Sequence, residues 1–212
     1  MLKLKKEAEW RFYMKIYDIS QEVFSCEVYP GDPTPESRSL MSILDGDVCN
    51  LSELKMCAHN GTHIDAPYHF FNEGKTVDKI ELKRVVGMAF VYEHSGVLTY
   101  TDAEDILLRA EELDPESSKR ILIKGDAVVS SEAAKLFADR GVYLLGNESQ
   151  TVGPADAPRE VHLILLGKDV VLLEGIRLAH VPEGVYFLNA VPLSLANADG
   201  APCRAILIDF KE

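Results

Sequence analysis

The sequence predicts one α/β domain in which a mixed β-sheet is layered with helices. Segments of strand length that are rich in Val, Ile and Leu outnumber the helical segments, and the two alternate regularly only in the middle of the chain. The 212 residues are enough for one sizeable core. No internal repeat and no flexible linker divides them. We therefore expect a single continuous domain rather than a simple doubly wound sheet.

Eight segments have the apolar character of strands. In chain order they cover residues 15–19, 51–57, 85–92, 120–124, 142–145, 170–174, 185–191 and 204–210. Residues 1–13 are basic and mixed in character, and they precede a natural strand start at Met14. We interpret residues 1–13 as an appendage to a domain that spans residues 14–212.

Three segments have helical character, at about residues 101–112, 131–140 and 157–166. Ser130 or Ser131 suits the N-cap of the second helix, and Gly141 suits its end. Pro158 and Gly167 suit the start and the end of the third helix. These helices should cover a sheet that contains both parallel and antiparallel strands.

Charge and composition exclude several classes of function. The net charge of −12 and the pI of about 5.0 argue against a nucleic-acid partner, which requires a basic surface. No apolar run approaches the length of a membrane helix, and the N-terminus lacks the apolar core of a signal peptide. The four cysteines have no C-x-x-C spacing. We expect a cytoplasmic protein with reduced thiols and no membrane partner.

Three of the six histidines fall within the eleven residues HNGTHIDAPYH. In an extended chain, His59, His63, Asp65 and His69 point to the same side. A straight strand would separate His59 from His63 by about 13 Å, so the segment must bend, and Gly61 permits a bend. Imidazole and carboxylate groups are ligands for zinc or manganese, and a carboxylate can bridge two ions. His69 is either a further ligand or a free general base.

Two residues elsewhere are the best candidates for additional ligands. His162 lies on the third predicted helix, and Glu174 ends an apolar strand, where a charged group requires a partner. Each could equally be a surface residue, and His94 and His180 are interpreted as ordinary hydrogen-bonded histidines. For the cluster itself an ion is favoured, because converging imidazoles and a carboxylate are costly to bury without one.

The cluster resembles a signature of the metal-dependent cyclase family that includes bacterial kynurenine formamidase. That signature, H-x-G-T-H-x-D-x-P-x-H, is complete here in His59, Gly61, Thr62, His63, Asp65, Pro67 and His69. The resemblance runs from Met14 to the C-terminus through the segments YPGD, VHLILL, LLEGIRL and DGAPCRAILI.

The resemblance implies one or two divalent ions per chain, with zinc favoured and manganese as the alternative. It makes His59, His63 and Asp65 the ligands of a first ion, and it makes Asp65 a bridge to a second ion held by His162 and Glu174. The family also implies a swivelling β/β/α fold and a homodimer or homotetramer.

His69 matches the family's catalytic histidine, which exchanges a proton with the substrate or the leaving group. Three positions depart from the family pattern. Tyr29 replaces a tryptophan that stacks on an aromatic substrate, the loop after Lys124 is short, and Glu148 replaces an aspartate. A tyrosine can still stack, so Tyr29 is the predicted substrate-binding residue.

The implied reaction is hydrolysis of the C–N bond of a small amide, with N-formyl-L-kynurenine as the leading substrate. One alternative is a cyclic amide or lactone hydrolase similar to isatin hydrolase. A second alternative is a metal-binding module without turnover, which would not need His69. No serine-hydrolase elbow occurs in the sequence, and no cysteine has a motif-defined histidine partner.

Overall fold

A nine-stranded mixed β-sheet forms the centre of the protein in the computed structural model, which describes residues 13–211. The predicted appendage lies outside the described residues except for Tyr13, which begins the first strand. In chain order the strands are β1 (Tyr13–Asp18), β2 (Glu36–Met41), β3 (Leu51–Lys55), β4 (His63–Asp65), β5 (Val86–Glu93), β6 (Gly96–Leu98), β7 (Arg120–Lys124), β8 (Ala127–Val129), β9 (Leu144–Asn147), β10 (Val171–Glu174), β11 (Gly184–Asn189), β12 (Gly200–Pro202) and β13 (Ile206–Lys211).

The order of strands in the main sheet is β1-β13-β11-β5-β7-β9-β10-β4-β12. Strands β5, β7, β9 and β10 are parallel neighbours. The strands on either side of them pair antiparallel. This arrangement confirms the predicted mixed sheet. A parallel pair needs a crossover connection, and only the middle of the chain supplies helices for one.

Three α-helices lie within the described residues: α1 (Tyr100–Leu113), α2 (Ser131–Asp139) and α3 (Arg159–Leu166). The Ser130 hydroxyl accepts a hydrogen bond from the Ala133 amide, which confirms the predicted cap. Helix α3 begins two residues later than predicted, directly after Pro158. None of these helices has the length and apolar character required to span a bilayer.

The sheet buries a different apolar cluster on each face. In β7, Ile121 and Ile123 face one cluster, while Leu122 faces the other, as the pleat of a strand requires. Phe137 of α2 and Leu165 of α3 complete the first cluster, so the three helices cover that face. Strand β7 therefore packs against the apolar clusters on both faces of the sheet.

The predicted strand at residues 51–57 is confirmed as β3, but this strand lies outside the main sheet. Its observed counterpart, β3, is exposed along its whole length and pairs only with β2 among the described residues. Leu51 and Leu54 are therefore exposed. Strands β2, β4, β6, β8 and β12 were not among the eight predicted strands, because they are short or lack an apolar run. Strands β6 and β8 form a separate parallel pair.

Glu148 connects two loops beside the carboxyl ends of the central strands. Its two carboxylate oxygens accept hydrogen bonds of 2.7 Å from the Gly125 amide, which follows β7, and from the Leu178 amide, which follows β10. Glu148 is not among the residues that line the cavity beside the histidine motif. The replacement of the family's aspartate by Glu148 therefore affects a contact between two loops and leaves the cavity wall unchanged.

We expect Glu148→Ala to destabilise the protein by about 2 to 4 kcal/mol, because two loop amides lose a charged acceptor. Chemical denaturation monitored by circular dichroism measures this change. Glu104→Ala, at an exposed position of α1, is the control and should change stability by less than about 0.5 kcal/mol. Equal stabilities of the two variants would contradict this role for Glu148.

Candidate metal centre

Strand β4 places two of the predicted ligands on one face of the sheet. His63 and Asp65 are two residues apart in this strand, so both point to the same face of the sheet, while Ile64 between them points to the other face and is fully buried in its apolar cluster. In the neighbouring strand β10, Glu174 is paired directly with His63. A carboxylate from one strand therefore faces an imidazole from the next.

The rest of the histidine motif is not extended, although the prediction of the cluster assumed an extended chain. Gly61 bends the chain before β4 with a φ of +73°, in the left-handed region that favours glycine. After β4, residues Pro67–His69 form a 3₁₀ turn that brings His69 back toward His59. The centroids of these two imidazole rings are 4.1 Å apart.

Helix α3 brings the last predicted ligand to the same place. The Nε2 atom of His162 lies 3.3 Å from a Glu174 oxygen and 3.7 Å from Asp65 Oδ2. His63 Nε2 lies 3.4 Å from Asp65 Oδ1 and 3.5 Å from the other Glu174 oxygen. The ligand atoms of His63, Asp65 and Glu174 form one compact group, and those of His59, Asp65 and His69 form another. Asp65 is common to both groups.

The donor atoms fit a divalent ion. The Oδ2 atom of Asp65 is buried and has no hydrogen-bond partner in the structure, which is costly for a carboxylate oxygen unless a cation satisfies it. His63 Nδ1 donates to the Gly61 carbonyl at 3.0 Å, and His162 Nδ1 donates to the Pro158 carbonyl at 2.9 Å. The Nε2 lone pairs of both histidines are therefore free to face an ion.

Charge interactions in the cluster shift its pKa values strongly. Burial opposes protonation of His59, but hydrogen bonds to Asp199 and Asp65 outweigh it and raise the pKa of His59 to about 9. Burial also opposes protonation of His63, and its contacts with Asp65 and Glu174 still raise the pKa of His63. Burial favours neutral Asp65, yet His59 and His63 hold its pKa well below the usual range. In the absence of metal, protons supply the positive charge.

A cavity of about 220 Å³ opens onto the cluster. Tyr29, Phe70 and Pro158 supply ring surfaces, and Asp32 and Gln150 supply polar groups. The Tyr29 hydroxyl donates to the Ala155 carbonyl at 3.3 Å, which fixes its ring at the cavity wall. His59, His63, His69, His162 and Glu174 also line the cavity.

Sequence reasoning missed several residues around the site. Asp32, Phe70 and Gln150 line the cavity, and Asp199 contacts both His59 and His69 without lining it. Asp199 lies in the DGAP segment, where an acidic residue just before a strand glycine was the available signal. Asp199 is separated from these histidines by 130 or more positions in the sequence, so the sequence pattern did not reveal the contact.

Residues 17–154 match the model of the Cyclase family. The chain belongs to the Cyclase family. The chain is 34% identical to a kynurenine formamidase of Salinibacter ruber over an alignment of 212 positions, which covers 92% of this chain and 98% of the relative. The family assignment agrees with the complete histidine motif and identifies the chain as a hydrolase.

Solved structures of similar proteins have the same fold. A protein described as a potential metal-dependent hydrolase with cyclase activity superimposes with a TM-score of 0.77 at 28% identity, covering 94% of this chain and all of that chain. Isatin hydrolase A from Labrenzia aggregata also gives a TM-score of 0.77, at 19% identity, covering 93% of this protein and 94% of that chain. The second likeness concerns the fold alone.

We expect zinc uptake by the metal-free protein to release protons. With a pKa of about 9, His59 is mostly protonated at pH 7, and it must lose that proton to act as a ligand. Apparent zinc affinity should therefore rise by up to about tenfold per pH unit for each proton displaced, and this gain should fade as the pH approaches about 9.

Titration calorimetry in buffers of different ionisation heat, with chelator-buffered zinc, measures both the affinity and the protons released. His94→Ala is the matched control, since His94 lies outside the cluster. An affinity independent of pH between about 6.5 and 8.5 would contradict the ligand role of His59.

Proposed function

We propose that the protein is a kynurenine formamidase that hydrolyses N-formyl-L-kynurenine to L-kynurenine and formate. One observation carries this proposal: a buried set of imidazoles and carboxylates surrounds the unpartnered oxygen of Asp65, and His69 stands beside it at the mouth of a small cavity. The similarity to the Salinibacter ruber enzyme supports the choice of substrate.

We propose zinc as the metal, with two ions per chain. His59, His63 and Asp65 would hold the first ion, and His162 and Glu174 would hold the second with Asp65 shared between them. Three imidazoles and two carboxylates suit zinc better than magnesium or calcium, which prefer oxygen ligands. The central position of Asp65, common to both compact groups of ligand atoms, supports the shared role.

His59 would contribute its Nδ1 atom to the first ion. That atom lies 2.8 Å from Asp65 Oδ1, whereas Nε2 is engaged with Asp199. The amide of Val152 donates to Glu174 at 2.8 Å and restrains that carboxylate. Hydrogen bonds of this kind orient metal ligands before the ion binds.

In the reaction, water adds to the formyl carbonyl, the C–N bond breaks, and the aryl amine leaves with a proton. A bound divalent ion supplies a Lewis acid that polarises the carbonyl and activates water. His69 would take a proton from the attacking water and return it to the departing nitrogen. Its Nδ1 atom faces Asp199 at 3.2 Å, which leaves Nε2 for this transfer.

The cavity suits an aromatic amino acid that carries an amide. Tyr29 and Phe70 provide aromatic surface for a ring, and such contacts add to the energy of burial. Asp32 provides a carboxylate to the same cavity and forms no ion pair within the described residues, so it is available to the ammonium group of the substrate. Gln150 adds amide donors and acceptors at the cavity wall.

Metal counting tests the ligand assignment. We expect about two zinc ions per chain in the wild type, about one in His162→Ala, and weakened binding of both ions in Asp65→Asn, because Asp65 is shared. Inductively coupled plasma mass spectrometry after equilibration with buffered zinc measures the ratio. His180→Ala is the control. A wild-type ratio near one that His162→Ala leaves unchanged would contradict the second ion.

Turnover of N-formyl-L-kynurenine tests the substrate and the role of His69. Metal-stripped protein should be inactive, zinc should restore activity, and His69→Ala should lower kcat by about 10² to 10⁴-fold with normal zinc content. The assay follows the absorbance of L-kynurenine. His94→Ala is the control and should retain full activity.

Isatin is assayed in parallel with the same enzyme. Faster turnover of isatin than of N-formyl-L-kynurenine would replace the proposed substrate by a cyclic amide. Zinc binding without turnover of either compound would contradict the formamidase assignment. An active His69→Ala variant would contradict the proton-transfer role alone.

A further inference from the structure

A single carboxylate oxygen of Asp199 links the proposed metal site to the proposed proton-transfer residue. Asp199 Oδ2 lies 2.7 Å from His59 Nε2 and 3.2 Å from His69 Nδ1. Asp199 is not among the residues that line the cavity, and its side-chain contacts are with these two rings.

The backbone fixes Asp199 in this position. Its carbonyl accepts a hydrogen bond of 2.9 Å from the Ala66 amide, and the next residue, Gly200, begins β12 directly opposite Asp65. A Cβ atom on Gly200 would lie 2.9 Å from His59 Cε1 and 2.7 Å from the Ile64 carbonyl oxygen. The chain can therefore pass this close to His59 only with glycine at residue 200.

The contact determines which nitrogen of each ring carries a proton. An ionised carboxylate only accepts hydrogen bonds, so His59 Nε2 and His69 Nδ1 must both be donors. In neutral rings, the lone pairs are then His59 Nδ1, which faces Asp65, and His69 Nε2, which is left for the substrate.

We propose that Asp199 is a positioning residue that sets the tautomers of His59 and His69 together. One side chain thus prepares a metal ligand and a proton carrier for their separate tasks. The catalytic part of this inference rests on the proposed role of His69. The tautomers themselves are defined in the resting, zinc-loaded protein and do not depend on which substrate is hydrolysed.

The test is the tautomeric state of the histidines in zinc-loaded protein without substrate. Long-range ¹H–¹⁵N correlation spectra distinguish a proton on Nδ1 from one on Nε2. We expect His69 of the wild type to carry its proton on Nδ1, and we expect Asp199→Ala to shift His69 toward protonation on Nε2. Asp199→Ser is made in parallel, because the serine hydroxyl is one bond too short to contact both rings. This variant allows the same measurement if Asp199→Ala does not fold.

Kinetics give the second measurement. For Asp199→Ala or Asp199→Ser, we expect kcat to fall by about 10- to 100-fold and zinc affinity to fall by about 10-fold or more, with KM within about threefold of the wild type. Asp139→Asn, at an exposed position of α2, is the control and should change neither the spectra nor the kinetics.

Wild-type tautomers in both Asp199 variants would overturn the proposal. So would a wild-type spectrum in which His69 carries its proton on Nε2. Failure of the wild type to hydrolyse N-formyl-L-kynurenine would instead overturn the proposed function, while the spectra would still decide the role of Asp199.

Discussion

The buried carboxylate of Asp65 is the constraint on which the site depends. It is almost inaccessible to solvent, and imidazoles surround it on several sides. An isolated charge in such a place costs several kcal/mol, so the carboxylate requires positive charge beside it at all times. Contacts with Asp65 favour the protonated forms of His59 and His63 and raise the pKa of both, and a divalent ion at this place would replace those protons.

The sheet provides a rigid frame for this charge cluster. Three adjacent strands, β10, β4 and β12, contribute Glu174, the pair His63 and Asp65, and the chain next to Asp199. Their positions follow from main-chain hydrogen bonds and from apolar residues such as Ile64 and Leu173 on the opposite face. Side chains mounted on strands are held more precisely than side chains on loops, which suits a preformed site.

The residues that would meet the substrate lie instead on turns and loops. His69 is in a short 3₁₀ turn, Tyr29 and Asp32 are in the segment between β1 and β2, and Gln150 follows β9. Such segments tolerate substitution better than buried strands do. The replacement of the family's tryptophan by Tyr29 therefore changes the cavity wall and leaves the charge cluster intact. The departure at Glu148 likewise changes a loop contact outside the cavity.

The sequence by itself determined the mixed sheet, most of its central strands, the three helices and the candidate ligands, because apolar runs, caps and the HNGTHIDAPYH spacing are local signals. Tertiary structure alone decided that β3 is exposed, that His69 returns to His59 through a 3₁₀ turn, and that Asp199 contacts both rings. The exposure of β3 follows from its pairing with β2 outside the main sheet. The return of His69 follows from the turn after β4, and the contacts of Asp199 join residues 130 or more positions apart. A local pattern carries no information about which distant segment will become its neighbour.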